Sequence, residues 1–89
     1  ILDVRNEPEW AAGVIEGAHL VPLMELPDAL PDLRKDLTYY VHCAGGYRSM
    51  IACSLMKRNG FQNVINITGG MNQVKQSHFH LVVPPTVTA

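Results

Sequence analysis

The 89-residue chain is poor in cysteine, and neither Cys43 nor Cys53 falls in a Cys-x-x-Cys or a paired Cys/His spacing. A disulfide scaffold is thereby excluded, and a zinc site has no ligand set to rest on. A domain this small without staples needs a dense core, and free thiols make a reducing compartment, the cytoplasm, the expected location. No apolar run approaches the roughly 18 residues of a membrane span, and no basic segment leads into a signal-like stretch. Repeats and low-complexity stretches are lacking as well. Charged residues make up only 17% of the chain against 47% hydrophobic, which leaves no room for a disordered or collagen-like segment or a basic nucleic-acid arm. One globular domain remains, with neither nucleic acid nor membrane as an expected partner.

Acids are missing from the whole second half. All eight (Asp3, Glu7, Glu9, Glu16, Glu25, Asp28, Asp32 and Asp36) precede residue 37, where they face only Arg5, Arg34 and Lys35, a net of −5. Residues 37–89 carry Arg48, Lys57, Arg58 and Lys75 unopposed, a net of +4. An anionic ligand is therefore expected to bind the second half. The chain opens on Ile1 inside an apolar run, Ile1, Leu2 and Val4, and reads as a piece of a longer protein.

Leu2-Asp3-Val4 predicts a short buried strand. Asn6 suits the cap of a helix with Pro8 in its first turn, running through Trp10 to a stop at Gly13. Val14 to Pro22, interrupted by Gly17, predicts a loop leading into a short strand. Pro27 and Pro31 limit residues 24–36 to short helical turns such as Leu26 to Leu30. Tyr39 to Cys43, aromatic and β-branched, is the clearest strand. A helix follows from about Arg48 to Asn59, with Ile51, Ala52, Leu55 and Met56 as its apolar face and Gly60 at its end. Val64 to Ile67 predicts another strand, and Gly69-Gly70 a turn opening a last helix from Met71 to Ser77. The domain is expected to span residues 1–80, with 81–89, which contain Pro84-Pro85, as a tail. This alternation predicts an α/β fold: a central parallel sheet, helices on both faces, and a site at the carboxyl ends of the strands.

Cys43-Ala44-Gly45-Gly46-Tyr47-Arg48-Ser49 occupies one such end. A chain bending from a strand into a helix N-terminus points several backbone N–H groups into one concavity, and the two glycines permit the backbone angles it needs. The helix dipole adds partial positive charge, and Arg48 a permanent one with forked donors. A cysteine at that mouth has its thiolate stabilised. The result is a nucleophile at the centre of an anion-binding bowl.

This loop resembles the active-site loop of rhodanese-like domains, sulfurtransferases that carry sulfane sulfur as a cysteine persulfide. Leu2-Asp3-Val4-Arg5 is similar to that family's "DVR" segment, Gly17 to Pro22 to its "GAxxxP" segment, and Val64 to Gly70 to its late strand and Gly-Gly turn. The resemblance implies double displacement. Cys43 takes the outer sulfur of a donor such as thiosulfate, and a thiophilic acceptor, cyanide or a cellular thiol, then removes it. Ala44, Gly45, Gly46, Tyr47 and Ser49 would line the substrate site. Arg48 would bind the anionic donor or brace the loop through its carbonyl oxygens. Asp3 and Arg5 would support the fold beside it. No cofactor or metal is called for.

Two other readings compete. A rhodanese-like docking module has no need of an intact Cys43 and Arg48. A small phosphatase or arsenate reductase is disfavoured because tyrosine-phosphatase-like enzymes place five residues between Cys and Arg, and here there are four. Cys53 reads as a core thiol, His42 as structural, and His78 and His80 as an exposed pair. Val14 and Val74 stand where many family members have His and Trp. The strand and helix that usually precede "DVR" are missing, which is expected to leave a sheet edge bare. The loop also looks like that of rhodanese domains fused behind metallo-β-lactamase-fold sulfur enzymes, so a covalent fusion partner is expected.

Overall fold

The computed structural model describes residues 1–71 and 81–82. Four short strands form one parallel sheet: β1 (Leu2–Asp3), β3 (His19–Leu20), β4 (Tyr39–His42) and β5 (Val64–Asn66), in the order β3-β1-β4-β5. Leu2 lies opposite His19 on one side and Val41 on the other, and Tyr40 opposite Ile65. The expected parallel α/β architecture is what the chain adopts.

Strand residues alternate between the two sheet faces. Leu2, Val4, Tyr39, Val41 and Cys43 join one core with Leu26, Ala52, Met56 and Phe61. That face is covered by α2 (Leu26–Ala29), which lies between two 3-10 turns at Leu23–Glu25 and Leu30–Asp32, and by α3 (Tyr47–Arg58). Tyr39 packs edge-on against Phe61 with ring centroids 5.7 Å apart, and its hydroxyl donates to the Arg34 carbonyl at 2.7 Å. On the opposite face, Asp3 and His42 are fully buried.

Several expectations shift. Of the expected apolar face of α3, Ala52 and Met56 are buried and Leu55 packs against the core, but Ile51 is 55% exposed; Ser49 and Cys53 complete the inward set. The helix is rotated so that Ser49, one turn in, meets the sulfur of Cys43. The buried set then follows at the i, i+3, i+4, i+7 spacing. Val14 to Pro22 contains two strands rather than one, because Val14–Ile15 forms β2 ahead of β3. Leu81–Val82, placed in the tail by the sequence, forms β6 and pairs antiparallel with β2, Ile15 against Leu81. Ile15 and Met71 make a second, smaller core there with Ile1, Ala18, Ile67 and Leu81. Beyond Met71 the expected last helix lies outside the described residues, as do Val74, His78 and His80. Among the described residues no helix is long and apolar enough to cross a membrane.

Candidate active site

The carboxyl end of β4 delivers Cys43 to the base of a loop whose top is the N-terminus of α3. Gly46 caps that helix in the left-handed region, at φ +103°, where a side chain would be strained. With Gly46 so placed, its N–H donates to Cys43 Sγ at 3.0 Å. The Ser49 N–H donates at 3.4 Å, and the Ser49 hydroxyl oxygen lies 3.5 Å from the sulfur. Cys43 is 1% exposed and Ser49 fully buried. Burial alone pushes the Cys43 thiol up. The hydroxyl and N–H of Ser49, with the N–H groups of Gly46 and Gly45, outweigh it and hold the thiol below its ordinary value. Charge-assisted hydrogen bonds at short range thus win over desolvation at this sulfur. Cys53, buried with no such donors, is pushed up instead. Both cysteines are free thiols.

A cleft of about 310 Å³ opens over the loop, lined by Gly45, Gly46, Tyr47, Met50, Asn66, Thr68 and Gly69. Among the described residues its walls are backbone, neutral polar and apolar groups, with no charged side chain. Tyr47 stands at the rim, 79% exposed. The turn after β5 closes the cleft and grips the loop, since the Met71 N–H donates to the Ala44 carbonyl at 3.0 Å.

Arg48 does not brace the loop through its carbonyl oxygens. Its guanidinium forms a forked pair with Glu9, Nη1 to Oε1 and Nη2 to Oε2 at 2.9 Å, and makes no hydrogen bond to a loop carbonyl among the described residues. Glu9 lies on α1 (Glu7–Trp10), a single turn in which Oε1 also accepts the Asn6 N–H at 2.9 Å. The Arg48 hydrogen bonds hold the Glu9 carboxyl at about 2, against an ordinary 4.5, and Glu9 in turn raises Arg48. One acid of the first half and one base of the second therefore meet and neutralise each other where the loop enters α3.

Asp3 and Arg5 lie behind this pair and do not line the cleft. Arg5 Nε and Nη2 donate to the Asp3 carboxylate, Nη2 at 2.8 Å, while Nη2 also reaches the Gly13 carbonyl at 2.8 Å and Nη1 the Glu9 carbonyl at 3.3 Å. One buried guanidinium thus ties β1 to α1 and to the turn that follows it. His42 Nε2 is 3.7 Å from Asp3 Oδ2, and burial holds that imidazole below its ordinary value. Sequence reasoning brings Cys43, Ala44, Gly45, Gly46, Tyr47 and Ser49 to one place and overlooks Glu9. The Asn6-x-x-Glu9 spacing signals a helix cap; nothing in it signals a partner 39 residues away.

A parallel sheet carrying a cysteine in a cradle of backbone donors at a strand end defines a class of nucleophile-bearing α/β domain. The profile of the rhodanese-like domain matches residues 1–77, and the chain belongs to that family. It is 37% identical over 71 residues to a putative sulfurtransferase, YtwF, of Bacillus subtilis, covering 80% of this chain and 68% of that protein. A sulfurtransferase of Allochromatium vinosum is 29% identical over 84 residues, covering 94% and 78%. The crystal structure of a rhodanese-related protein from Thermoplasma volcanium superposes with a TM-score of 0.84 at 30% identity, over 93% of this chain and 82% of that one.

Proposed function

We propose that this domain is a sulfurtransferase working through a persulfide on Cys43. The Cys43 thiolate attacks the outer sulfur of a donor such as thiosulfate. The donor's S–S bond breaks, sulfite leaves with the bonding pair, and Cys43 keeps the sulfur as Cys–S–S⁻. An acceptor, cyanide or a thiolate, then attacks that outer sulfur. Thiocyanate or a new persulfide departs, and the Cys43 thiolate is restored. No net proton or electron is consumed, so no cofactor is required.

The observation that carries this reading is the set of N–H donors from Gly46 and Ser49 converging on Cys43 Sγ. Donors fixed before reaction stabilise the anion at each stage without reorganising, the logic of an oxyanion hole applied to sulfur. The sulfurtransferases among its relatives support the same chemistry. Free Cys43 and Cys53 suit a reducing cytoplasm.

The test is thiocyanate formation from thiosulfate and cyanide, alongside mass spectrometry of the protein after exposure to thiosulfate or cysteine persulfide. Native protein gains one sulfur, about 32 Da, and Cys43→Ser does not. A folded native chain that loads from neither donor overturns the reading and leaves a docking module as the alternative.

A further inference from the structure

The cleft needs its anions compensated, yet Arg48, which follows the rim residue Tyr47 and feels the charge of Cys43, is already engaged. Arg48 gives both terminal nitrogens to the two carboxylate oxygens of Glu9. Glu9 is not a loose surface partner. Its Oε1 accepts the Asn6 N–H, and its own carbonyl accepts Arg5 Nη1, which anchors α1 to the buried Asp3. The carboxylate is therefore set in place before any ligand arrives.

Among the described residues no other cation can substitute. Arg5 is paired to Asp3 and Arg34 to Asp36. Lys35 lies over Phe61 and beside Gly60, on another part of the surface. Lys57 and Arg58 sit in the last turn of α3, about 15 Å along the helix from Tyr47 at 1.5 Å per residue. The charge of the Arg48–Glu9 pair sums to zero, and the described residues that line the cleft carry none.

We propose, building on the persulfide reading above, that Glu9 is a specificity-determining residue. By neutralising Arg48 it disfavours dianionic sulfur donors and favours donors carrying a single net negative charge, of the alkyl persulfide class. Thiosulfate brings two negative charges to a thiolate in a cradle compensated by neutral N–H dipoles. Cysteine persulfide brings one net negative charge and releases a thiolate where thiosulfate releases sulfite. Both deliver one sulfane sulfur to Cys43, so they differ at this step mainly in charge and leaving group. Glu9 acts through Arg48 and touches neither donor.

The test compares kcat/KM for thiosulfate with kcat/KM for cysteine persulfide at pH 8 and low ionic strength, taken as a ratio so that a general loss of efficiency cancels. Glu9→Gln leaves Arg48 uncompensated, and the ratio rises roughly fivefold, the scale of one added charge acting across several ångströms at a protein surface. Arg48→Gln leaves Glu9 uncompensated, and the ratio falls by a similar factor. The double variant returns to the native ratio. Higher salt shrinks both shifts. A ratio unchanged in folded Glu9→Gln, or in folded Arg48→Gln should the first variant not fold, overturns the assignment. Failure of the native protein to load from either donor is a different result and removes the persulfide reading itself.

Discussion

Gly70 stands directly against the backbone of Ala44. A Cβ on Gly70 would collide with the Ala44 carbonyl and lie 2.8 Å from the Gly45 nitrogen, and its φ of +56° already disfavours a side chain. The turn after β5 and the nucleophile loop thus fit together only because position 70 is bare. Gly70→Ala is expected to destabilise the domain by about 1–3 kcal/mol, the usual cost of overpacking. Sulfur transfer should fall further than unfolding explains, because the atoms displaced belong to the cradle. Denaturant melts paired with transfer rates on the folded fraction check both statements.

Donors on Cys43 Sγ set the pH at which the nucleophile forms. The thiol is held below its ordinary value, so loading of Cys43 should persist below the pH where an ordinary thiol loses reactivity, failing only as pH drops through the lowered value. Ser49→Ala removes the hydroxyl whose hydrogen bond with Cys43 Sγ helps to lower the thiol and leaves the Ser49 N–H in place. Its loading profile should move to higher pH, with the rate at neutral pH reduced roughly tenfold, the scale of one hydrogen bond to a charged group. An alkylation-rate profile of Cys43 in the two proteins measures the shift.

Acid should loosen the Glu9–Arg48 pair. A carboxyl held at about 2 rather than 4.5 contributes stability that is complete above 4.5 and lost as pH falls through 2. The two side chains are about one-third exposed, so solvent screening reduces that contribution to about 1 kcal/mol. Glu9→Gln should be less stable than native by that amount at pH 7, and the gap should close by about pH 2. Urea melts across that range give the comparison.

Removing Arg5 should do more. It is 3% exposed and holds Asp3, Glu9 and Gly13 together. Arg5→Ala strands the Asp3 carboxylate, fully buried beside His42, and should cost about 3–5 kcal/mol, as breaking one side of a buried ion pair does. Arg5→Lys keeps the charge but cannot supply the fork, so it should recover only part of that loss. Thermal or denaturant unfolding separates the three proteins.

What was legible in the sequence follows physical range. The strand-to-glycine-to-helix order around Cys43 is local, and its consequences, Gly46 in the left-handed region and donors on the sulfur, could be read from seven residues. Glu9 could not, because its partner lies 39 residues on and the intervening chain shows no periodicity linking them. The 3.6-residue apolar period places Ile51 inward, yet the contact between Ser49 and Cys43 fixes the rotation of α3 and turns Ile51 out. Val14–Ile15 is two residues long and flanked by Gly13 and Glu16-Gly17, too short for an alternating pattern to show. Its strand character comes entirely from Leu81–Val82.

That last pairing bears on the order in which the molecule assembles. Ile15 and Leu81 are 66 positions apart, farther than any pairing in the parallel sheet, where Leu2 meets Val41 across 39. Closing the longer span costs more chain entropy, so contacts of that range tend to form late. β1, β3, β4 and β5, with the nucleophile loop between β4 and α3, can therefore assemble before β6 docks as a final seal over Ile15 and Met71. In refolding experiments, Leu81→Ala should leave the folding rate nearly unchanged and speed unfolding; a slowed folding limb would place the seal in the nucleus instead. By this account the chemistry matures early and the closing clasp governs how long the folded state lasts.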